Sequence, residues 1–168
     1  PSRFLVFGVK GMLSAAKNVR NAMLFNVLSF MSDKLLTVGN TVAALDELYI
    51  WLSNPTAIEY IRNCLKRVRK KESAMLLASQ NLEDFDQEGV REMTKPLFSI
   101  PPHQFLFNAG SIDKRSYMDM LQLEESEYNL IRFPQRGVCL YKCGNERYLL
   151  EVHAPAYKEK LFGTAGGR

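Results

Sequence analysis

Thr41-Val42-Ala43-Ala44-Leu45-Asp46-Glu47 is the stretch on which the fold turns. Val42 to Leu45 is apolar at every position and then stops abruptly at two acids. A run without alternation suits a strand covered on both faces, as in a parallel sheet. Downstream, Asn54-Pro55 announces a helix, because Asn is a favoured N-cap and Pro is preorganised for the first helical position. Ile58, Ile61, Leu65 and Val68 then recur at helical spacing to about Lys70. Lys66, Arg67, Arg69 and Lys70 in the last turn suit the negative end of the helix dipole. Ala74 to Ala78 reads as a second buried strand ending in Ser79-Gln80-Asn81. Residues 41–81 therefore predict a strand–helix–strand unit with parallel strands and a right-handed crossover.

Outward from this unit the pattern continues in both directions. Arg3 to Val9 reads as a short buried strand, and Ala15 to Met31 as a helix with Val19, Met23, Val27 and Phe30 on its apolar side. Leu82 to Ser99 reads as a polar loop and helix, and Gln104 to Asn108 as a short strand. Asp113 caps a helix through Leu121, followed by a second short helix from Glu124 to Phe133. Arg136 to Tyr141 and Arg147 to Val152 form a hairpin around the Gly144-Asn145 turn signal. The sequence thus predicts one α/β domain over 1–162, a mainly parallel sheet flanked by helices with a C-terminal β-hairpin, and a mobile tail over 163–168.

With 168 residues, 46% hydrophobic and 24% charged, the chain has the composition of a folded domain with a real core. The net charge of +4 permits an anionic partner without requiring one. No apolar run reaches the length of a membrane span, since Pro101-Pro102 splits the longest candidate, Leu97 to Phe107. The N-terminus lacks the features of a signal peptide, so a cytosolic location is expected. Cys139 and Cys143, four apart in a strand, lie about 13 Å from each other and cannot bridge. Cys64 falls on the apolar side of a helix, and all three thiols are expected to be reduced. His103 and His153 show no metal-ligand spacing.

Val42 to Glu47 has the form of a Walker B motif, a buried strand that delivers an acidic pair to its carboxyl end. Ligands of open α/β sheets bind beyond that end. There an aspartate can hold Mg²⁺ through water, and a following carboxylate can orient and polarise an attacking water. The plainer reading is a strand ending in solvent at Asp46-Glu47. Gln80, at the end of the next strand, should face the same crevice as Asp46; alone it could equally cap loop backbone. The basic cluster Lys66, Arg67, Arg69, Lys70 and Lys71 could contact nucleic-acid phosphates, reach a neighbour's nucleotide, or simply solvate a helix end. Tyr49 and Trp51 read as packing residues, and Glu83-Asp84-Phe85-Asp86 as an exposed helix start.

In order and spacing these features resemble the CagE/TrbE/VirB family of type IV secretion and conjugative transfer ATPases, from Arg3 to about Tyr157. Arg3-Phe4-Leu5-Val6-Phe7 resembles the family's strand before a long helix. Leu45-Asp46-Glu47 resembles its Walker B, Leu65 to Lys70 its basic helix end, and Ser79-Gln80-Asn81 with Leu82 to Phe85 its Gln-bearing strand and following helix. Leu121 to Glu127 and Arg136-Gly137 with Gly144-Asn145 resemble its closing segment. Phe7-Gly8 and Lys71-Glu72 depart from the pattern, where the family carries an acidic and small residues. So does the lack of any Gly-x-x-x-x-Gly-Lys-Ser/Thr loop. In the family that loop lies upstream, which with the Pro1 start implies an excised piece or a truncated relative.

The resemblance implies a partial RecA-like (P-loop NTPase) domain within a homo-hexameric motor. Such a motor would hydrolyse ATP with Mg²⁺ and sit peripherally on the inner face of the bacterial cell membrane among other type IV secretion components. Carried over by position, Asp46 would coordinate Mg²⁺, Glu47 would activate water and Gln80 would sense the γ-phosphate. Arg67, Arg69 or Arg136 would contact nucleotide across a subunit boundary. Without its phosphate-binding loop the isolated chain is expected to be inactive. Two alternatives stand beside this reading: a non-catalytic interaction module of the apparatus, and a piece of a RecA-like DNA translocase or coupling protein that binds nucleic acid.

Overall fold

The computed structural model describes residues 3–52, 54–80, 82–86, 89–108, 110 and 112–163. Two compact units divide between Pro101 and Pro102. In the first, helix α1 (Lys17–Asp33) buries Leu24, Leu28 and Met31 and runs on through a π-helical turn over Lys34–Val38, where Leu35 is fully buried. The stripe expected inside lies largely outside: Val19, Met23 and Phe30 are exposed. α1 is apolar on more than one side, so its spacing fits two stripes. Packing against the helix that follows the first strand selects Leu24, Leu28 and Met31.

Strand β1 (Val42–Leu45) leads into the one-turn helix α2 (Tyr49–Leu52), which buries Ile50, Trp51 and Leu52. Helix α3 (Pro55–Arg67) follows; the Asn54 side chain accepts the Thr56 N–H at 3.0 Å, a cap that stabilises the helix by about 1 kcal/mol. α3 buries Ala57, Ile58, Ile61 and Cys64 and packs on α1, α2 and a later helix, which makes it the centre of the unit. Each fully buried Ile contributes about 1.5–3 kcal/mol. The basic cluster forms the exposed last turn of α3 and a 3-10 turn over Val68–Lys71. β2 (Ala74–Leu77) then pairs parallel to β1 in the register Val42↔Ala74 to Leu45↔Leu77, the strand–helix–strand unit expected. Helix α4 (Arg91–Ser99) closes the unit.

Three expectations fail here. The parallel pair is covered on one face only: Ala43, Leu45, Met75 and Leu77 are turned inward, whereas Val42 is 75% and Leu76 61% exposed. Residues 3–9 form no strand, and Phe4 to Phe7 are exposed. A strand needs a neighbour to take up its backbone groups, and no described strand lies beside this segment. The acidic stretch is a 3-10 turn over Glu83–Phe85, anchored by Phe85, which is buried edge-on against Phe98. Asn81 lies outside the described residues.

The second unit is antiparallel. β3 (His103–Leu106) pairs with β4 (Val138–Cys143), and β4 with β5 (Glu146–Glu151) across the Gly144-Asn145 turn, where Gly144 takes φ 58°. Between β3 and β4 lie α5 (Lys114–Leu121), capped by Asp113 through the Arg115 and Ser116 N–H groups, and α6 (Glu125–Leu130). An exposed helix α7 (Ala156–Phe162), not foreseen, follows β5; Thr164 onward lies outside the described residues. All three cysteines are free thiols.

Buried titratable groups give this unit an alkaline limit. Burial pushes the Cys139 thiol above its ordinary 9.0, and burial, with the nearby Tyr128 adding to it, pushes the Tyr117 hydroxyl well above its ordinary 10.0. The unfolded chain therefore releases both protons first. Their stabilisation is complete below pH 9 and is lost as pH rises through 9 and then 10. Lys142 acts oppositely: burial, then Arg147, lowers it from 10.5, so its penalty shrinks as pH approaches 10.5. The urea midpoint should fall between pH 8 and 10. Cys139→Ala should flatten the first stage of that slope; an unchanged slope would refute the assignment.

Candidate functional site

The acidic pair and Gln80 meet at the carboxyl ends of two adjacent parallel strands. The ladder runs past the strands themselves: Ala78 N–H donates to the Leu45 carbonyl at 2.9 Å, and Leu48 N–H donates to the Ala78 carbonyl at 3.0 Å. Between them the chain makes a sharp turn at Glu47, whose φ of 51° lies in the left-handed region. Its N–H donates to Asp46 Oδ1 at 2.9 Å, a local bond that short acidic side chains favour at such turns. With buried Leu48 pinned to β2, the turn carries the Glu47 side chain toward β2, and Gln80 Nε2 donates to Glu47 Oε1 at 2.8 Å.

Asp46 is exposed and Glu47 half-buried. Asp46 Oδ2 and Glu47 Oε2 accept no hydrogen bond among the described residues. Ser79, the residue before Gln80, has its Oγ buried and without a partner among the described residues. This is a hard-oxygen donor set of one or two carboxylates, the kind Mg²⁺ accepts when waters and phosphate oxygens complete its shell. No group of three or more His, Cys, Asp or Glu able to hold a metal gathers among the described residues. The donors thus fit a metal carried in with a phosphate ligand.

The strained turn carries its own expected result. A non-glycine residue in the left-handed region costs about 1–2 kcal/mol. Glu47→Gly should therefore leave the urea midpoint unchanged or raised, although glycine weakens most strand ends, and β-branched Glu47→Val should lower it by more than about 1 kcal/mol. The reverse order would show that the turn is not strained.

Arg67 and Arg69 stand elsewhere in the first unit. Asn40 N–H donates to the Lys71 carbonyl at 2.9 Å, which ties the basic end of α3 to the residues before β1. Arg67 and Arg69 are exposed at this amino end of the parallel pair, opposite the acidic pair. Arg136 is an exposed residue of the second unit, just before β4. Tyr49 is 39% exposed while Trp51 is buried. The Glu47–Gln80 bond went unread in the sequence; its signal was an acid and an amide ending two strands joined by one helix.

No protein-family model matches the chain. It is 32% identical over 101 residues, 59% of its length, to a probable conjugal transfer protein TrbE of Sinorhizobium fredii (strain NBRC 101917 / NGR234). It is 31% identical over 101 residues to a conjugal transfer protein TrbE of Rhizobium radiobacter. The chain spans 15% and 12% of the lengths of these two relatives. The solved structure of VirB4 of Thermoanaerobacter pseudethanolicus superposes with a TM-score of 0.80 and 30% identity, over 92% of this chain and 43% of that one. Among the described residues no helix is long and apolar enough to cross a membrane. This chain is thus similar in sequence to one segment of the TrbE proteins and in fold to one segment of VirB4.

Proposed function

We propose that these residues form one side of an ATP-hydrolysing site in the motor of a conjugative transfer or type IV secretion system. The observation that carries the reading is the convergence of Asp46, Glu47 and Gln80 at the carboxyl ends of adjacent parallel strands, within a fold like that of VirB4. Asp46 would hold Mg²⁺ through water, and the metal would neutralise charge on the phosphates. Glu47 would accept the proton of the attacking water at Oε2, the oxygen that Gln80 leaves open. Gln80, at the same edge, would reach toward the γ-phosphate. Phosphoryl transfer depends mainly on positioning and electrostatics, so groups set on strand ends suit it.

The sequence holds no phosphate-binding loop. Two carboxylates without that amide cradle would repel a polyphosphate, so this chain alone should bind nucleotide weakly and release no phosphate. Hydrolysis belongs to the protein that also supplies the loop, as a hexamer with an arginine such as Arg67, Arg69 or Arg136 reaching a neighbour's nucleotide. Calorimetry on the full-length protein tests the site: Asp46→Asn should weaken Mg-ATP binding by roughly tenfold while leaving metal-free binding unchanged. Equal binding in both would remove Asp46 from the metal.

A second reading, an interaction module of the transfer apparatus, draws on the exposed apolar face of Val42 and Leu76. Full-length protein that binds no Mg-ATP would favour it.

A further inference from the structure

Under the proposed hydrolysis, Glu47 and Gln80 would have separate tasks, one toward water and one toward the γ-phosphate. In the structure the two side chains are bonded to each other at 2.8 Å, across 33 positions of sequence. The geometry points to Gln80 as the positioning residue for Glu47, a role that rests on the hydrolysis reading: its amide fixes which carboxylate oxygen is presented to water and ties that orientation to whatever else the amide holds.

The Glu47 backbone is already fixed three times over. Its φ of 51° sets the turn, its N–H is held by Asp46 Oδ1, and the next residue is held by the Ala78 carbonyl. The freedom that remains lies in the side-chain torsions, which in a half-buried Glu leave the carboxylate able to swing into solvent. The Gln80 amide removes that freedom. It occupies Oε1 and leaves Oε2 with no donor among the described residues. A carboxylate held at one oxygen presents the other in a defined direction, the condition for general-base work.

The amide has a second N–H, and its carbonyl oxygen is an acceptor. A phosphate oxygen arriving at Gln80 would take that second N–H or displace the carboxylate from the first. Either way the aim of Glu47 would depend on what stands at Gln80, so contact with the γ-phosphate and readiness of the base would be one event. A surface Glu–Gln pair is ordinarily incidental. Here the backbone is bent into the left-handed region at the residue that makes the contact, and the parallel register brings the amide beside it.

Gln80 is exposed, so its variants should fold. In the full-length protein, Gln80→Leu removes the donor, and Gln80→Asn retains an amide one methylene too short to reach. Both should lower kcat by about 100-fold. KM for Mg-ATP should change far less than kcat, because most of the loss acts through Glu47 and not through binding. In the nucleotide-free protein, Glu47→Ala should displace the Gln80 side-chain amide resonances. Intact kcat in Gln80→Leu, a loss confined to ATP-over-ADP preference, or amide resonances unmoved by Glu47→Ala would each overturn the positioning role. If Glu47→Gln itself turns over fully, the hydrolysis reading fails and takes the positioning role with it. A dead Glu47→Gln beside a fully active Gln80→Leu overturns the positioning role alone.

Discussion

Replacing Glu47 by glutamine in the full-length protein should lower ATP turnover by about 10²–10⁴-fold, the usual contribution of a positioned general base. Mg-ATP affinity should stay within about threefold. The substitution keeps the size of the side chain and retains an oxygen able to accept the Gln80 amide, so the contact at 2.8 Å can persist. What disappears is the basic oxygen opposite it. Binding should survive because the metal and phosphate contacts belong to other groups, and removing a negative charge near a polyphosphate does not weaken its attraction. The expected signature is a protein that retains nucleotide without consuming it, read by phosphate release and by calorimetry on the same preparation. Full turnover would remove Glu47 from the chemistry. Loss of binding in step with turnover would instead assign it a structural role in holding the ligand.

The residues of this site were legible in the sequence because each carries a local signal. Val42 to Leu45 ends in two acids, Asn54-Pro55 fixes where the crossover helix begins, and Ala74 to Ala78 ends in Ser79-Gln80; together these imply strands 42–45 and 74–77 side by side, which the structure shows. Asp113 and Gly144-Asn145 were readable for the same reason, since caps and tight turns are decided within a few residues. The features that went unread are settled by distant regions of the chain. α1 offers apolar residues on more than one side, and only its packing on α3 chooses Leu24, Leu28 and Met31 over Val19, Met23 and Phe30. Phe4 to Phe7 has the composition of a strand, but pairing needs a neighbour that composition does not specify. Phe85 hides a core contact inside an acidic run. Lys142 lies buried in β4, its ammonium donating to the Leu121 carbonyl, although a lysine in a strand ordinarily faces water. At the site itself the left-handed turn at Glu47 follows from no residue preference: glutamate does not favour it, and the bonds to Asp46 and Ala78 impose it.

Gly137→Ala should be among the most damaging single substitutions in the second unit. Gly137 stands immediately before β4 with φ 80°, and its carbonyl accepts the Val152 N–H at 2.9 Å. These two residues close the open end of the hairpin, next to the Val138↔Glu151 pair. An added Cβ would lie 2.4 Å from the Val152 carbonyl oxygen. That oxygen is backbone, so no rotamer change relieves the contact and the strands must separate. The cost combines about 1–2 kcal/mol for the left-handed backbone with about 0.5–1.5 kcal/mol for the broken hydrogen bond, and any strain left in the ladder adds to it. A total near 3 kcal/mol would lower Tm by more than about 10 °C in a unit of this size. Gly144→Ala is the control: φ there is 58°, but nothing lies within 4 Å of its Cβ, so the backbone cost alone applies. Hydrogen exchange of the Cys139 to Tyr141 amides reports the second unit directly. Protection should drop at least tenfold more in Gly137→Ala than in Gly144→Ala, which is a difference of about 1.4 kcal/mol. Equal losses would show that the close approach to Val152 relaxes freely and that left-handed strain is the whole effect.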